Sequence, residues 1–236
     1  MLTPYYDHAG ITLYCADCRE VLPTLAAGSV DLVLTDPPYG LKEARYNGTH
    51  GDRSNCAKAG NYGTSAWDDA PPDTEILQAV IAAGRNAIVW GGNYFVLPPS
   101  SKWLVWDKDN GTNDFADCEL AWTNLPGAVR KLRFRWNGML QEYGGRLRET
   151  RFHPTQKPLF VMRWCLGQAG DAALTVADFF AGSGTTLLAA KLEGRRAIGC
   201  EIDERYCQIA AKRLEQEVLP FAEPAQEEAV QLALAV

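Results

Sequence analysis

Ala173-Leu-Thr-Val-Ala177, a short apolar run, leads into Asp178-Phe-Phe-Ala-Gly182-Ser-Gly184-Thr-Thr186, and Ser183 to Leu192 continues as a helical pattern. A buried strand that breaks at a glycine turn and restarts as a helix is half of a strand–helix–strand unit. The other half follows at once: Arg196-Ala-Ile-Gly-Cys200 reads as the next strand and Glu204 to Val218 as the next helix. Working back toward the N-terminus, Pro158 to Gln168 has helical spacing, and Cys118 to Thr123, Lys102 to Trp106 and Ala87 to Trp90 are strand candidates. Asp73 to Ala83 carries a helix-start signature and ends at Gly84. Before it, Asp31-Leu-Val-Leu-Thr35 is a buried strand, and Ile11 to Tyr14 is a strand followed by the short amphipathic run Arg19 to Leu25. Strands alternating with helices predict an α/β fold, a doubly wound, Rossmann-like, mostly parallel sheet.

The chain of 236 residues suits one domain with a sizeable core, over 1–219, with a long aperiodic loop at 40–66, a segment of different composition at 124–152 and a loosely held tail at 220–236. At 47% hydrophobic and 22% charged residues the composition is that of a globular protein, which excludes wholesale disorder. No apolar run approaches the roughly 20 residues of a membrane span. Seven cysteines at dissimilar spacings form no disulfide framework, and Cys15-x-x-Cys18 lacks a second pair to complete a metal site; they read as reduced thiols in a cytoplasmic protein with no metal. The net charge of −6 argues against binding nucleic acid by bulk charge.

Two segments carry chemistry, each at the carboxyl end of an inferred strand, where open α/β sheets bind ligands. Asp36-Pro37-Pro38-Tyr39 joins an acceptor carboxylate, a stiff backbone offering carbonyls without donors, and a flat aromatic. Those are the parts needed to hold an amino group on a planar ring. The Asp178 to Thr186 turn brings backbone close to a ligand with a helix N-terminus behind it, which favours an anion. It lacks the lysine of a phosphate-binding loop and the third glycine of the dinucleotide fingerprint. Glu201, an acid about 20 residues downstream at the end of the next strand, is placed to grip ribose hydroxyls. A nucleoside and an amino-acid carboxylate together suggest S-adenosylmethionine.

In this order, Asp36-Pro-Pro-Tyr39, His153-Pro-Thr-Gln-Lys-Pro158, Phe180-x-Gly-x-Gly-x-Thr186 and Glu201 resemble the beta-class DNA amino-methyltransferases of the DPPY type, which modify adenine N6 or cytosine N4. The resemblance spans about Leu13 to Leu214 and is similar to phage and prophage members. It implies a methyltransferase fold with S-adenosylmethionine as cofactor and double-stranded DNA as partner, with no membrane. A homodimer and a cognate restriction enzyme are further partners that the resemblance admits. It makes Asp36, Pro37, Pro38 and Tyr39 catalytic, with the target amine donating to the Asp36 carboxylate and the Pro37 carbonyl, and Tyr39 stacking on a flipped base. On the cofactor side it implies Asp178, Gly182, Gly184 and Thr185 around the methionine moiety, with Phe180 and Ser183 beside them. Glu201 and Ile202 are expected at the ribose, Asp17 and Cys18 at the adenine, and Thr155, Gln156 and Lys157 closing from the far end. The chain departs from the pattern at Phe179, where proline is usual, and at Ala16, where glycine is usual.

Between Val129 and Arg151 lie Arg130, Lys131, Arg133, Arg135, Arg146, Arg148 and Arg151 against Glu142 and Glu149, a local +5 that leaves the rest of the chain at −11. Its place between catalytic and cofactor motifs matches the family's target-recognition region. It is expected to face DNA phosphates, with Lys42 and Arg45 of the long loop as a second contact. An Asp-initiated tetrapeptide favours adenine N6, with cytosine N4 as the alternative. Methylation of RNA or of a protein amide, and a catalytically silent DNA-binding module, are the competing readings.

Overall fold

The computed structural model describes residues 2–41, 69–111, 116–137, 140–143 and 148–216. Of the expected loop at 40–66, residues 42–66 lie outside the described residues, as does the tail at 220–236. In chain order the sheet elements are β1 (Tyr6–His8), β2 (Ile11–Cys15), β3 (Val30–Thr35), β4 (Gly84–Trp90), β5 (Trp103–Asp107), β6 (Cys118–Thr123) and β7 (Arg130–Arg133). A small pair β8 (Trp136–Asn137) and β9 (Leu140–Gln141) follows, then β10 (Thr175–Asp178) and β11 (Arg196–Glu201). The helices are α1 (Cys18–Val21), α2 (Thr74–Ala83), α3 (Leu159–Ala169), α4 (Thr185–Leu192) and α5 (Glu204–Glu215).

Among the described residues, nine strands make one sheet in the order β1-β2-β11-β10-β3-β4-β6-β5-β7. Only β1 and β6 run against the rest, so the sheet is mostly parallel as the alternation of elements predicts. Parallel strands buried on both faces need apolar side chains on both, and β4 shows it. Ile88 and Trp90 join the core under α3, α4 and α5, while Ala87 and Val89 join the core under α1 and α2. The centre of the sheet is formed by pairing β3 with β10, elements far apart in sequence. Asp31 fastens that pair from the strands' starting ends: its Oδ2 accepts from the Thr175 backbone N–H at 2.9 Å and from the Thr175 hydroxyl at 2.7 Å.

Element ends differ from the sequence reading where glycine intervenes. Helix α4 begins at Thr185 rather than Ser183, because Gly184 holds a left-handed φ of 78° and closes the turn. Gly84, expected only to stop α2, also opens β4 directly. A Cβ there would lie 2.6 Å from the Asn86 carbonyl oxygen, so the close approach demands glycine. The segment 124–152, expected as an insertion, contributes β7 to the sheet edge beside β5 and then the β8–β9 pair.

Candidate active site

The carboxyl ends of β3, β10 and β11 open into one cavity of about 830 Å³, within the size range of a small-molecule site. It has two lobes. One is built on Asp36, Pro37, Pro38 and Tyr39 after β3; the other on Asp17, Phe180, Gly182, Glu201 and Ile202 around β2, β10 and β11. Asp178, last residue of β10, stands between them: its Oδ1 accepts from the Thr35 hydroxyl at 2.7 Å and the Phe180 N–H at 3.1 Å. Burial raises this carboxyl to about 6, with the Thr186 and Thr35 hydroxyls opposing.

In the first lobe Asp36 is gripped through both oxygens. The Tyr39 hydroxyl donates to Oδ1 at 2.5 Å and Lys157 Nζ donates to Oδ2 at 2.6 Å. The Tyr39 ring stacks on Tyr94, with centroids 4.8 Å apart and planes 14° from parallel. Gly91, at a φ of 66°, makes room for it, since a Cβ there would be 2.1 Å from the Tyr39 ring. Two residues that the sequence reading missed complete the lobe. Glu119 on β6 takes Lys157 on Oε2 at 3.0 Å and Lys108 on Oε1 at 2.5 Å. An acid and a base flanking the apolar cores of β6 and β5 were the available signal. Two ammonium groups against two carboxylates leave the cluster near neutral. Burial works to raise Glu119, but Lys157 and Lys108 outweigh it and hold the carboxyl down at about 2. Asp36 shares one cation and faces a second acid; burial raises it above the ordinary aspartate range, with Lys157 opposing.

The second lobe is held by backbone. Glu201 Oε2 accepts from the Gly182 N–H at 2.8 Å and Oε1 from the Asp203 N–H at 2.9 Å. Burial raises this carboxyl to about 7. Asp17 caps α1 and pairs with Arg19 at 2.5 Å, its own carboxyl lowered chiefly by hydrogen bonding from Arg19. Cys18 is buried, which pushes its thiol up to about 11, an inert form. Beneath the turn, Arg213 on α5 donates to the Ser183 carbonyl at 2.6 Å and to the Thr185 hydroxyl at 3.1 Å. Ser183 donates to Gln156 Oε1 at 3.1 Å, and Gln156 in turn donates to Glu149 at 2.9 Å.

The structure thus brings the expected catalytic and cofactor residues to one cavity, with two differences of place. Gly184 does not line it; a Cβ there would meet Ala210 at 2.8 Å, so this glycine lets α4 pack on α5. Lys157, expected to close over the cofactor with Thr155 and Gln156, reaches the Asp36 lobe instead. His153 lies against the Tyr206 ring at 4.3 Å, and burial drops its pKa to about 3, so it is a neutral imidazole. Of the basic segment, Arg130, Lys131 and Arg133 lie on β7 at the sheet edge, while Trp136 and Arg151 line the cavity. Lys131 pairs with Asp107 at 3.0 Å, Arg133 with Asp109 at 2.7 Å, and Arg135 with Asp109. Two acids from the end of β5 therefore offset part of the +5 counted along the sequence. Arg130 and Arg148 are exposed, while Lys42, Arg45 and Arg146 lie outside the described residues.

Residues 105–212 match the family model N6_N4_Mtase, described as DNA methylase. Over that span the chain is similar to the amino-methyltransferases of the N6-adenine/N4-cytosine class. The likeness extends beyond it: the Type II methyltransferase M2.DpnII of Streptococcus pneumoniae is 24% identical, covering 92% of this chain and 94% of its own. Among solved structures, the M1.HpyAVI–SAM complex is 24% identical over 87% of this chain and 100% of that one, with a TM-score of 0.52. The cytosine-N4-specific PvuII DNA methyltransferase is 15% identical over 98% and 94%, with a TM-score of 0.57. These two share the fold.

Proposed function

We propose that the protein transfers the methyl group of S-adenosylmethionine to the N6 amino group of adenine in duplex DNA. The observation that carries this reading is the junction of the two lobes: an amine-accepting Asp-Pro-Pro-Tyr corner and a glycine turn with a buried acid share one cavity. The cofactor fits the second lobe. Glu201 presents carboxylate oxygens on backbone supports, Gly182 leaves the turn uncovered, and Ile202, 60% exposed, offers an apolar surface for a flat ring. When bound, that cofactor supplies an electrophilic methyl group.

The protein's own residues then do the positioning. An exocyclic amine is a weak nucleophile because its lone pair is delocalised into the ring. Donating its N–H groups to Asp36 and the Pro37 carbonyl orients the nitrogen and enriches it, and charge-assisted bonds of this kind are the stronger ones. The Tyr39 hydroxyl occupies one Asp36 oxygen in this structure, so an entering amine takes over a bond already formed. A ring freed from Tyr94 becomes a stacking surface for the base, a contact that contributes about 1–3 kcal/mol and offsets the cost of flipping.

Cytosine N4 is the second reading, favoured by the shared fold with the PvuII enzyme, since a cytosine amine presents the same two N–H groups. Incubating duplex DNA with labelled S-adenosylmethionine and analysing nucleosides by mass spectrometry decides between them. N6-methyladenine is expected; N4-methylcytosine replaces adenine with cytosine, and unlabelled DNA defeats both. The arginines of the β7 edge, with Lys42 and Arg45, are proposed as the phosphate contacts. We also propose that the enzyme serves site-specific modification beside a restriction partner, the setting of its Type II relatives.

A further inference from the structure

The methyl-transfer reading asks that Asp36 be an acceptor, yet a carboxylate enclosed by protein favours its protonated form, in which one oxygen becomes a donor. The structure answers this with Lys157. Its side chain is only 6% exposed, and its Nζ lies 2.6 Å from Asp36 Oδ2 and 3.0 Å from Glu119 Oε2. It also stands 5.5 Å from the Tyr39 ring centroid and 5.6 Å from that of Trp90, on ring faces that favour a cation. Pro158 and the start of α3 fix the backbone that carries it. A lysine so enclosed by two acids and two aromatic rings is a built part of the cavity rather than a surface charge folded inward.

We propose that Lys157, anchored between Asp36 and Glu119, is a positioning residue for methyl transfer: it keeps Asp36 an ionised acceptor turned toward the cavity, and Glu119 limits how tightly it does so. The inference rests on the methyl-transfer reading for its purpose, but its physical content concerns the free protein. Lys157 touches one carboxylate oxygen and so leaves Oδ1, on which Tyr39 now sits, for the amine. Glu119 competes for the same ammonium and is itself held by Lys108. The other titratable groups near this cluster are Asp178 from β10, His153 from the turn before α3, Cys165 from α3 and Tyr94 beside Tyr39. His153 and Cys165 are neutral, and Asp178 adds negative charge that makes the demand for Lys157 greater.

The signs separate this role from a merely structural one. Removing the cation in Lys157→Met leaves Asp36 to burial and a neighbouring acid with only the Tyr39 hydroxyl opposing, so its ionisation moves to higher pH. Removing the competing acid in Glu119→Gln leaves Lys157 to Asp36 alone, so its ionisation moves to lower pH. Lys157→Arg keeps the charge and returns the midpoint toward the wild type. The measurement is a 13C titration of the Asp36 carboxyl in cofactor-free protein labelled at aspartate, assigned with Asp36→Asn. The expected displacement is roughly one to three pH units upward for Lys157→Met, the range over which a close opposite charge moves a carboxyl, and a smaller one downward for Glu119→Gln. The low-pH limb of methyl transfer to duplex DNA should move in the same directions. An unchanged midpoint, or equal displacements of one sign, overturns the proposal. If Lys157→Met does not fold, the downward displacement in Glu119→Gln still decides it. Opposed carboxyl midpoints in a protein that leaves DNA unmethylated would uphold the charge relation and defeat the methyl-transfer reading instead.

Discussion

Asp36 and Glu201 occupy equivalent positions, each at or just beyond the carboxyl end of a parallel strand and each with two oxygens engaged, but they are held in different ways. Glu201 is fastened by two backbone N–H groups, from Gly182 and Asp203. Asp36 is held by side chains, Tyr39 and Lys157. Backbone donors are positioned by the fold and keep their partial charge at every pH; side-chain partners can rotate, exchange or titrate. One lobe is therefore preset for a ligand that always presents the same atoms. The other can rearrange, as a site must if a nucleotide enters it from a duplex. The proposed division of labour, cofactor on the backbone-held side and base on the side-chain-held side, matches that physical difference.

The most damaging change to that division is Asp36→Ala. Methyl transfer to DNA should fall by at least about 10²-fold, the lower range for a lost positioned catalytic group, while cofactor affinity measured calorimetrically stays near the wild type. Equal loss of both would erase the distinction between lobes. Glu201→Ala should do the reverse, weakening cofactor binding by about 10- to 100-fold, as expected for one charge-assisted hydrogen bond of about 1.5–3 kcal/mol. Within the base lobe, Tyr39→Ala should lower kcat/KM by an amount corresponding to about 1–3 kcal/mol of lost stacking. Tyr39→Phe should do much less, because the hydroxyl bond to Asp36 must be given up when the amine arrives.

The two lobes also differ in how they couple to pH. Glu201 near 7 and Asp178 near 6 stand above their ordinary values because burial disfavours their charge. A folded-state pKa above the unfolded one means that the native protein binds more protons over this interval, so stability falls as pH rises through it. These two carboxyls should therefore lower the melting temperature of the cofactor-free protein at about pH 8 relative to about pH 5, against the opposite contribution of the neutral His153, and Glu201→Gln should raise the melting temperature more at about pH 8 than at about pH 5. The smallest effect belongs to the basic edge. Lys131→Ala, whose ammonium is already paired with Asp107, should lower the salt slope of DNA binding by less than the one unit expected of a full phosphate contact, and by less than Arg130→Ala does.

Local features were legible along the chain and non-local ones were not. Asp36, Asp178 and Glu201 could be read because each ends an apolar run at a turn, a relation contained within a few residues. Their meeting in one cavity followed from the rule that parallel strands present ligands at their carboxyl ends. Glu119 and Lys108 could not be read in this way. Glu119 reaches Lys157, and Lys108 reaches Glu119, because β6 inserts antiparallel between β4 and β5, a strand order that no short segment encodes. The resemblance implies Lys157 on the cofactor side together with Thr155 and Gln156. A single residue's direction out of a proline-bounded turn depends on what lies across from it, here two acids. The same limit applied to the basic run, whose charges could be counted but whose partners Asp107 and Asp109 stand at the end of β5 and just past it.

The pairing of β3 with β10 has a consequence for how this molecule is made. Asp31 and Thr175, which clasp the middle of the sheet, are 144 residues apart. On a ribosome the Asp36 corner emerges early with its apolar strand bare on one side, and its neighbour arrives only after most of the described chain has been synthesised. Closing so long a loop before any contact rewards it is slow, and an unpaired apolar strand invites association meanwhile. A nascent chain halted before Thr175 should therefore be protease-sensitive and captured by chaperones, and one extended past Glu215 should not.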